Sequence, residues 1–156
     1  MGMLDFIKNA GEKLFGIGEA KAAEGDTANR AAGQAIESYI RKMGLDATGL
    51  SVEVDGGQGL AKVYGVAADQ ATREKIVLCC GNVEGVEKVE DNLSVSEAAA
   101  ESQWYTVTSG DTLSAIALRF YSNASRYNAI FEANRPMLSN PDRIYPGQKL
   151  RIPPQA

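Results

Sequence analysis

The sequence predicts an α+β protein of two small domains, ordered α-β-β-α-β and then β-α-α-β. Three observations lead there. A chain of 156 residues with 44% apolar composition suits one ordinary domain or two small ones. Its apolar residues switch between helical spacing and strict alternation along the chain. Its charge is also divided: residues 1–101 hold 17 acids and 10 bases, net −7, whereas residues 102–156 hold 3 acids and 6 bases, net +3.

Met3, Ile7, Ala10 and Leu14 recur at i, i+4, i+7 and i+11, so residues 3–15 predict a short amphipathic helix. Alone it is too short to be stable, and it is expected to dock on the domain that follows. Its two acids and two bases argue against the alternative of an anionic membrane surface. Residues 16–26, rich in Gly, Ala and Glu, read as a connection. Ile36, Ile40 and Met43 then stripe a helix over 27–43, with Gly44 as its C-cap. Leu50, Val52 and Val54 alternate with polar residues, and the run resumes at Leu60 beyond Asp55-Gly56-Gly57-Gln58-Gly59, which predicts a β-hairpin. Asp69 is placed as N-cap of a helix over 70–80 that Gly81 terminates, and Val86 to Val95 reads as a third strand. Two helices are expected to cover one face of this sheet.

Residues 96–102 carry no large apolar residue and separate the two charge regimes. The expected layout is therefore a helix and connection over 1–25, a first domain over 26–95, a linker over 96–102 and a second domain over 103–156. In the second domain Tyr105 and Val107 mark a strand, and Asp111 or Thr112 caps a helix bearing Leu113, Ile116, Ala117 and Phe120. Tyr127, Ile130, Phe131 and Asn134 repeat that spacing, and Pro136 limits the second helix. Tyr145-Pro146-Gly147-Gln148 fits a type II turn before a strand with Leu150 and Ile152.

Composition narrows the chemistry. The chain has no histidine, hence no usual general base, triad partner or imidazole metal ligand. Neither Ser109 nor Ser114 begins a Ser-x-x-Lys spacing, and the chain is not expected to be an enzyme. Adjacent Cys79 and Cys80 suit neither a mutual disulfide nor a four-ligand zinc site. Net charge −4 speaks against a nucleic-acid partner. Charged residues interrupt the N-terminal apolar stretch, and no run approaches a membrane span. The chain is expected to be cytoplasmic and monomeric.

The stretch YTVTSGDTLSAIALRFY, followed by NAIFEANRPML and PDRIYPGQKLRIP, closely resembles a LysM domain. LSVEVDGGQGLAKVYGVAADQATREKI and GNVEGVEKVEDNLSV resemble a BON domain, a looser pattern of small strands, glycines and valines. With the N-terminal MG…AGEKL segment, the whole chain resembles the small bacterial potassium-binding proteins that join a BON and a LysM domain.

That resemblance implies a potassium ion held by backbone carbonyls of Ile7, Ala10, Gly81, Val83 and Val86, with rubidium and caesium as substitutes. The domains would close over the ion, making the chain a sensor or buffer with an unknown downstream partner. Read alone, Gly81 is a plain helix cap. A carbonyl cage suits potassium because the ion sheds water readily, and the last carbonyls of a helix lack intrahelical partners. The acids Glu84, Glu87, Glu90 and Asp91 read instead as a solvated face. On this placement Gly81→Pro abolishes binding and Glu84→Gln preserves it. The LysM resemblance implies an alternative, an envelope adaptor holding N-acetylglucosamine glycans between Gly110-Asp111-Thr112-Leu113 and Asn140-Pro141-Asp142-Arg143-Ile144. For those residues a turn, a helix cap and core packing are the simpler roles.

Overall fold

The structure is a computed structural model and describes residues 2–5, 25–55, 57–83, 86–135 and 137–154. The chain divides into two compact units, Met1–Ala99 and Ala100–Ala156. The first contains β1 (Gly2–Asp5), α1 (Gly25–Lys42), β2 (Thr48–Asp55), β3 (Leu60–Asp69), α2 (Gln70–Gly81) and β4 (Lys88–Glu97). The second contains β5 (Gln103–Thr106), α3 (Leu113–Tyr121), a 3-10 turn over Ala124–Arg126, α4 (Tyr127–Ala133) and β6 (Lys149–Ile152).

In the first unit the sheet order is β1-β4-β3-β2. β2 and β3 form the expected antiparallel hairpin, while β3 and β4 run parallel, joined by α2 as the crossover. Alternate residues face the helices: Leu50 and Val52 of β2, Ala61 and Val63 of β3, and Val89 and Leu93 of β4 are buried. Ile36 and Ile40 of α1 and Ile76 of α2 are fully buried with them. α1 ends as its sequence predicts. Gly44 N–H bonds the Arg41 carbonyl at 3.0 Å and Leu45 N–H bonds that of Ile40 at 3.2 Å, the paired bonds of a Schellman cap.

β1 corrects the sequence reading. Residues 3–5, expected to open a helix, lie in a strand paired antiparallel to β4, Met3 opposite Glu90 and Leu4 opposite Val89. Without β1, one side of β4 would present unpaired backbone groups, and a strand placed there satisfies them. The remainder of that expected helix, and the connection after it, fall outside the described residues. β4 itself lies two residues later at each end than the predicted 86–95.

α1 covers the opposite edge of the sheet. Gly33 packs directly on β2, where a Cβ would penetrate the van der Waals surface of the Val52 carbonyl oxygen. Glu37 Oε2 accepts the Val52 N–H at 2.9 Å. Together they occupy the outward backbone groups of an edge strand, which otherwise invite pairing with another chain.

The second unit is a two-stranded antiparallel sheet of β5 and β6 packed with two helices. Leu113, Ile116, Ala117, Ile130, Leu150 and Ile152 form its core. The Tyr145–Gln148 turn closes through Gln148 N–H to the Tyr145 carbonyl at 3.1 Å, with Gly147 at φ +89°.

Candidate functional site

The end of α2 and the segment after it carry three of the five sequence-predicted metal ligands, Gly81, Val83 and Val86. Asp69 caps α2 by accepting the Thr72 N–H at 2.8 Å. At the other end Asn82 N–H donates to the carbonyls of Leu78 at 2.8 Å and Cys79 at 3.3 Å. Among the described residues no backbone N–H reaches the carbonyls of Cys80 and Gly81, which stand at the negative end of the helix dipole. Gly81 is buried, as are Val83 and Val86. Val86 N–H donates to the Val83 carbonyl at 3.1 Å, closing a turn. Beyond it, the N–H groups of Glu87 and Lys88 both donate to the Gly59 carbonyl, at 2.6 and 3.0 Å.

Among the described residues this arrangement offers backbone oxygen rather than sulfur or side-chain carboxylate. Burial pushes the Cys79 thiol up to about 12 and raises that of Cys80 as well, so both are neutral thiols that pack the core. Among the described residues no three His, Cys, Asp or Glu side chains are grouped to hold a metal. Ile7, Ala10 and Glu84 fall outside the described residues. Sequence reasoning missed Tyr39, whose hydroxyl accepts a hydrogen bond from Asn82 Nδ2 at 3.2 Å. A tyrosine three residues after Ile36, on the apolar side of α1, was the available signal, because a buried phenol needs a polar partner.

The two loops of the alternative site also come together, flanking a groove of about 400 Å³ in the second unit. Asp111, Thr112, Leu113, Pro141, Asp142 and Ile144 line it, whereas Gly110, Asn140 and Arg143 do not. Ser114 and Tyr127 also line it and were not expected; both lie on helices outside the two loops. Several of the predicted residues are committed to the fold. Thr112 caps α3 by accepting the Ala115 N–H at 3.1 Å, Leu113 is buried core, and Asn140 Oδ1 accepts the Asp142 N–H at 2.9 Å. Asp111 Oδ2 accepts from the Tyr105 hydroxyl at 2.5 Å, the Thr108 N–H at 2.8 Å and the Thr108 hydroxyl at 3.0 Å.

These bonds shift both partners. The Tyr105 hydroxyl and then the Thr108 N–H hold the Asp111 carboxyl below its ordinary value. Asp111, in turn, raises the Tyr105 phenol. The loop therefore keeps its bonding from above the ordinary carboxylate range up to the ordinary phenol range; it weakens as acid protonates Asp111 or as base ionises Tyr105. Asp111→Asn is expected to return one tyrosine to a lower pKa, read as tyrosinate absorbance against pH. An unchanged titration would show that the bond is absent in solution.

The models of two domain families match the chain, BON over residues 29–97 and LysM over residues 105–153. The protein is thus of the class that couples a BON domain to a LysM domain. It is 43% identical over 154 residues to the potassium binding protein Kbp of Escherichia coli, an alignment covering 98% of this chain and 99% of that one, and it belongs to that protein's family. An uncharacterized protein of Deinococcus radiodurans is 53% identical over 49 residues, 31% of this chain and 19% of that protein.

Proposed function

We propose that this protein binds potassium through backbone carbonyls at the end of α2 and acts as a cytoplasmic sensor or buffer of the ion, not as an enzyme. The observation that carries the reading is the burial of Gly81, Val83 and Val86 where α2 ends. These residues carry backbone carbonyl oxygens at or just beyond the end of a helix whose dipole favours a cation. The 43% identical relative is named for binding potassium, which supports the same ion. The sheet register supports the proposed partners: β1 ends at Asp5 opposite Lys88, so the backbone leaves β1 at the end of the sheet where the α2–β4 connection arrives. Ile7 and Ala10 follow within five residues of that exit.

Neutral oxygens replace the hydration shell of a large monovalent ion at small desolvation cost, and rubidium and caesium share that property. Calorimetric titration of ion-free protein at fixed ionic strength is expected to give heat with potassium, rubidium and caesium and little with sodium. Equal responses to all four would leave only screening. If the ion stabilises a closed arrangement of the two domains, it shifts their equilibrium by its differential affinity. Small-angle scattering should then give a smaller radius in potassium than in sodium.

The groove in the second unit favours a second reading, a glycan site. Titration with N-acetylglucosamine oligomers tests it, with the Tyr127 ring as the expected contact.

A further inference from the structure

We propose that Tyr39 is a positioning residue that sets the ion selectivity of the Gly81 and Val83 carbonyls through its hydrogen bond to Asn82. The inference rests on the potassium reading above.

Asn82 stands between two of the proposed ligand carbonyls, those of Gly81 and Val83. Its φ of −83° and ψ of 15° place it in the sparsely populated bridge region, where the chain leaves helical geometry. Rotation about those two bonds changes the separation of the flanking carbonyl oxygens. Three constraints oppose it. The backbone N–H of Asn82 is tied to Leu78 and Cys79, the Val83 side chain is fully buried, and the side-chain amide of Asn82 donates to the Tyr39 hydroxyl at 3.2 Å. The last reaches out of the segment, 43 residues back to α1.

Tyr39 is suited to this task. Its side chain is 7% exposed, among the core residues of a helix with Ile36 and Ile40 fully buried beside it. The α1 helix is itself fixed on the sheet by Gly33 against β2 and by the Glu37 bond to Val52. The phenol therefore refers the loop to a rigid element.

Sodium is smaller than potassium and is held well only if the oxygens draw closer together. A segment free to contract accommodates both ions; one braced at Asn82 keeps the wider spacing. Bracing thus acts on the ratio of the two affinities more than on either alone. Tyr39→Phe removes the acceptor and keeps the ring. It is expected to reduce the potassium-over-sodium affinity ratio about fivefold, the size of one net hydrogen bond, with sodium gaining.

The whole chain is titrated with potassium chloride and with sodium chloride at one ionic strength, as wild type, Tyr39→Phe, Asn82→Ala and the double variant. Asn82→Ala leaves the helix cap intact, because the capping bonds are made by the backbone. It carries the same expectation should Tyr39→Phe fail to fold. If the two residues act through one bond, the double variant shows the same ratio as either single variant. A wild-type ratio in both single variants, or effects that multiply, overturns the inference while leaving potassium binding in place. Wild-type protein that takes up no potassium overturns the potassium reading and this inference with it.

Discussion

Gly33→Ala is expected to destabilise the first unit by about 2 kcal/mol, although alanine is the better helix former by about 1 kcal/mol. The reason is local. The new methyl would meet the Val52 carbonyl oxygen, an outward-facing backbone atom of a strand fixed by its pairing with β3, which cannot rotate aside as a side chain would. Relief requires α1 to lift from β2, which strains the Glu37 bond to the Val52 N–H and opens the packing of Ile36 and Ile40. Urea denaturation followed by circular dichroism measures the loss. Ala31→Gly, at an exposed position of the same helix, supplies the propensity scale. A Gly33→Ala chain as stable as wild type would mean that α1 stands farther from β2 in solution.

Asn134→Ala is expected to cost the second unit about 3 kcal/mol, lowering its melting transition by roughly 15 °C in so small a unit. Asn134 is 1% exposed and acts as a piece of strand. Its Nδ2 donates to the carbonyls of Ile130 at 2.7 Å and Arg151 at 3.0 Å, and its Oδ1 accepts the Arg151 N–H at 2.8 Å. The side chain thus satisfies both backbone groups of a buried residue in β6 while closing the last turn of α4. Truncation strands an N–H and two carbonyls away from water, a larger penalty than the net worth of the bonds. The neighbouring contact of Arg151 Nη1 with the Ala133 carbonyl at 2.7 Å depends on the same register and is weakened with it. Asn134→Asp separates the roles: it keeps the acceptor and loses both donations, so its stability should fall between the other two. Thermal melts of the three chains decide the order, and equal melting would dismiss the network.

The two domains differ in how much of them could be read from sequence. α2 was legible because Asp69 sits where a cap is needed, although the helix runs on through Gly81 to a cap at Asn82; the Tyr145–Gln148 turn was legible because proline and glycine fix its angles. β1 was not legible. Met3, Leu4 and Asp5 are too few to distinguish a strand from the first turn of a helix, and the choice is made by a vacant edge on β4, some eighty residues away. The carbonyl loop was legible only as a helix end followed by glycine, since every residue type carries the same oxygen. What the side chains add there, Tyr39 bracing Asn82, is a long-range pairing with no local pattern. The LysM loops show the converse. Their motif was plain in the sequence, yet Asp111 turned out to be occupied by Tyr105 and Thr108, and Tyr127 entered the groove from a helix outside the motif.

β1 also bears on the order in which the fold opens and closes. It is four residues long and, among the described residues, joins the sheet only through β4, and its partners lie 83 to 89 positions away in the chain, from Asp5 opposite Lys88 to Gly2 opposite Asp91. Few bonds set against a long loop closure make it the last strand to dock during folding and the first to detach by fluctuation. Its amides should exchange with solvent well before those of β3. The amino terminus is therefore a clasp that can be undone without unfolding the domain it fastens.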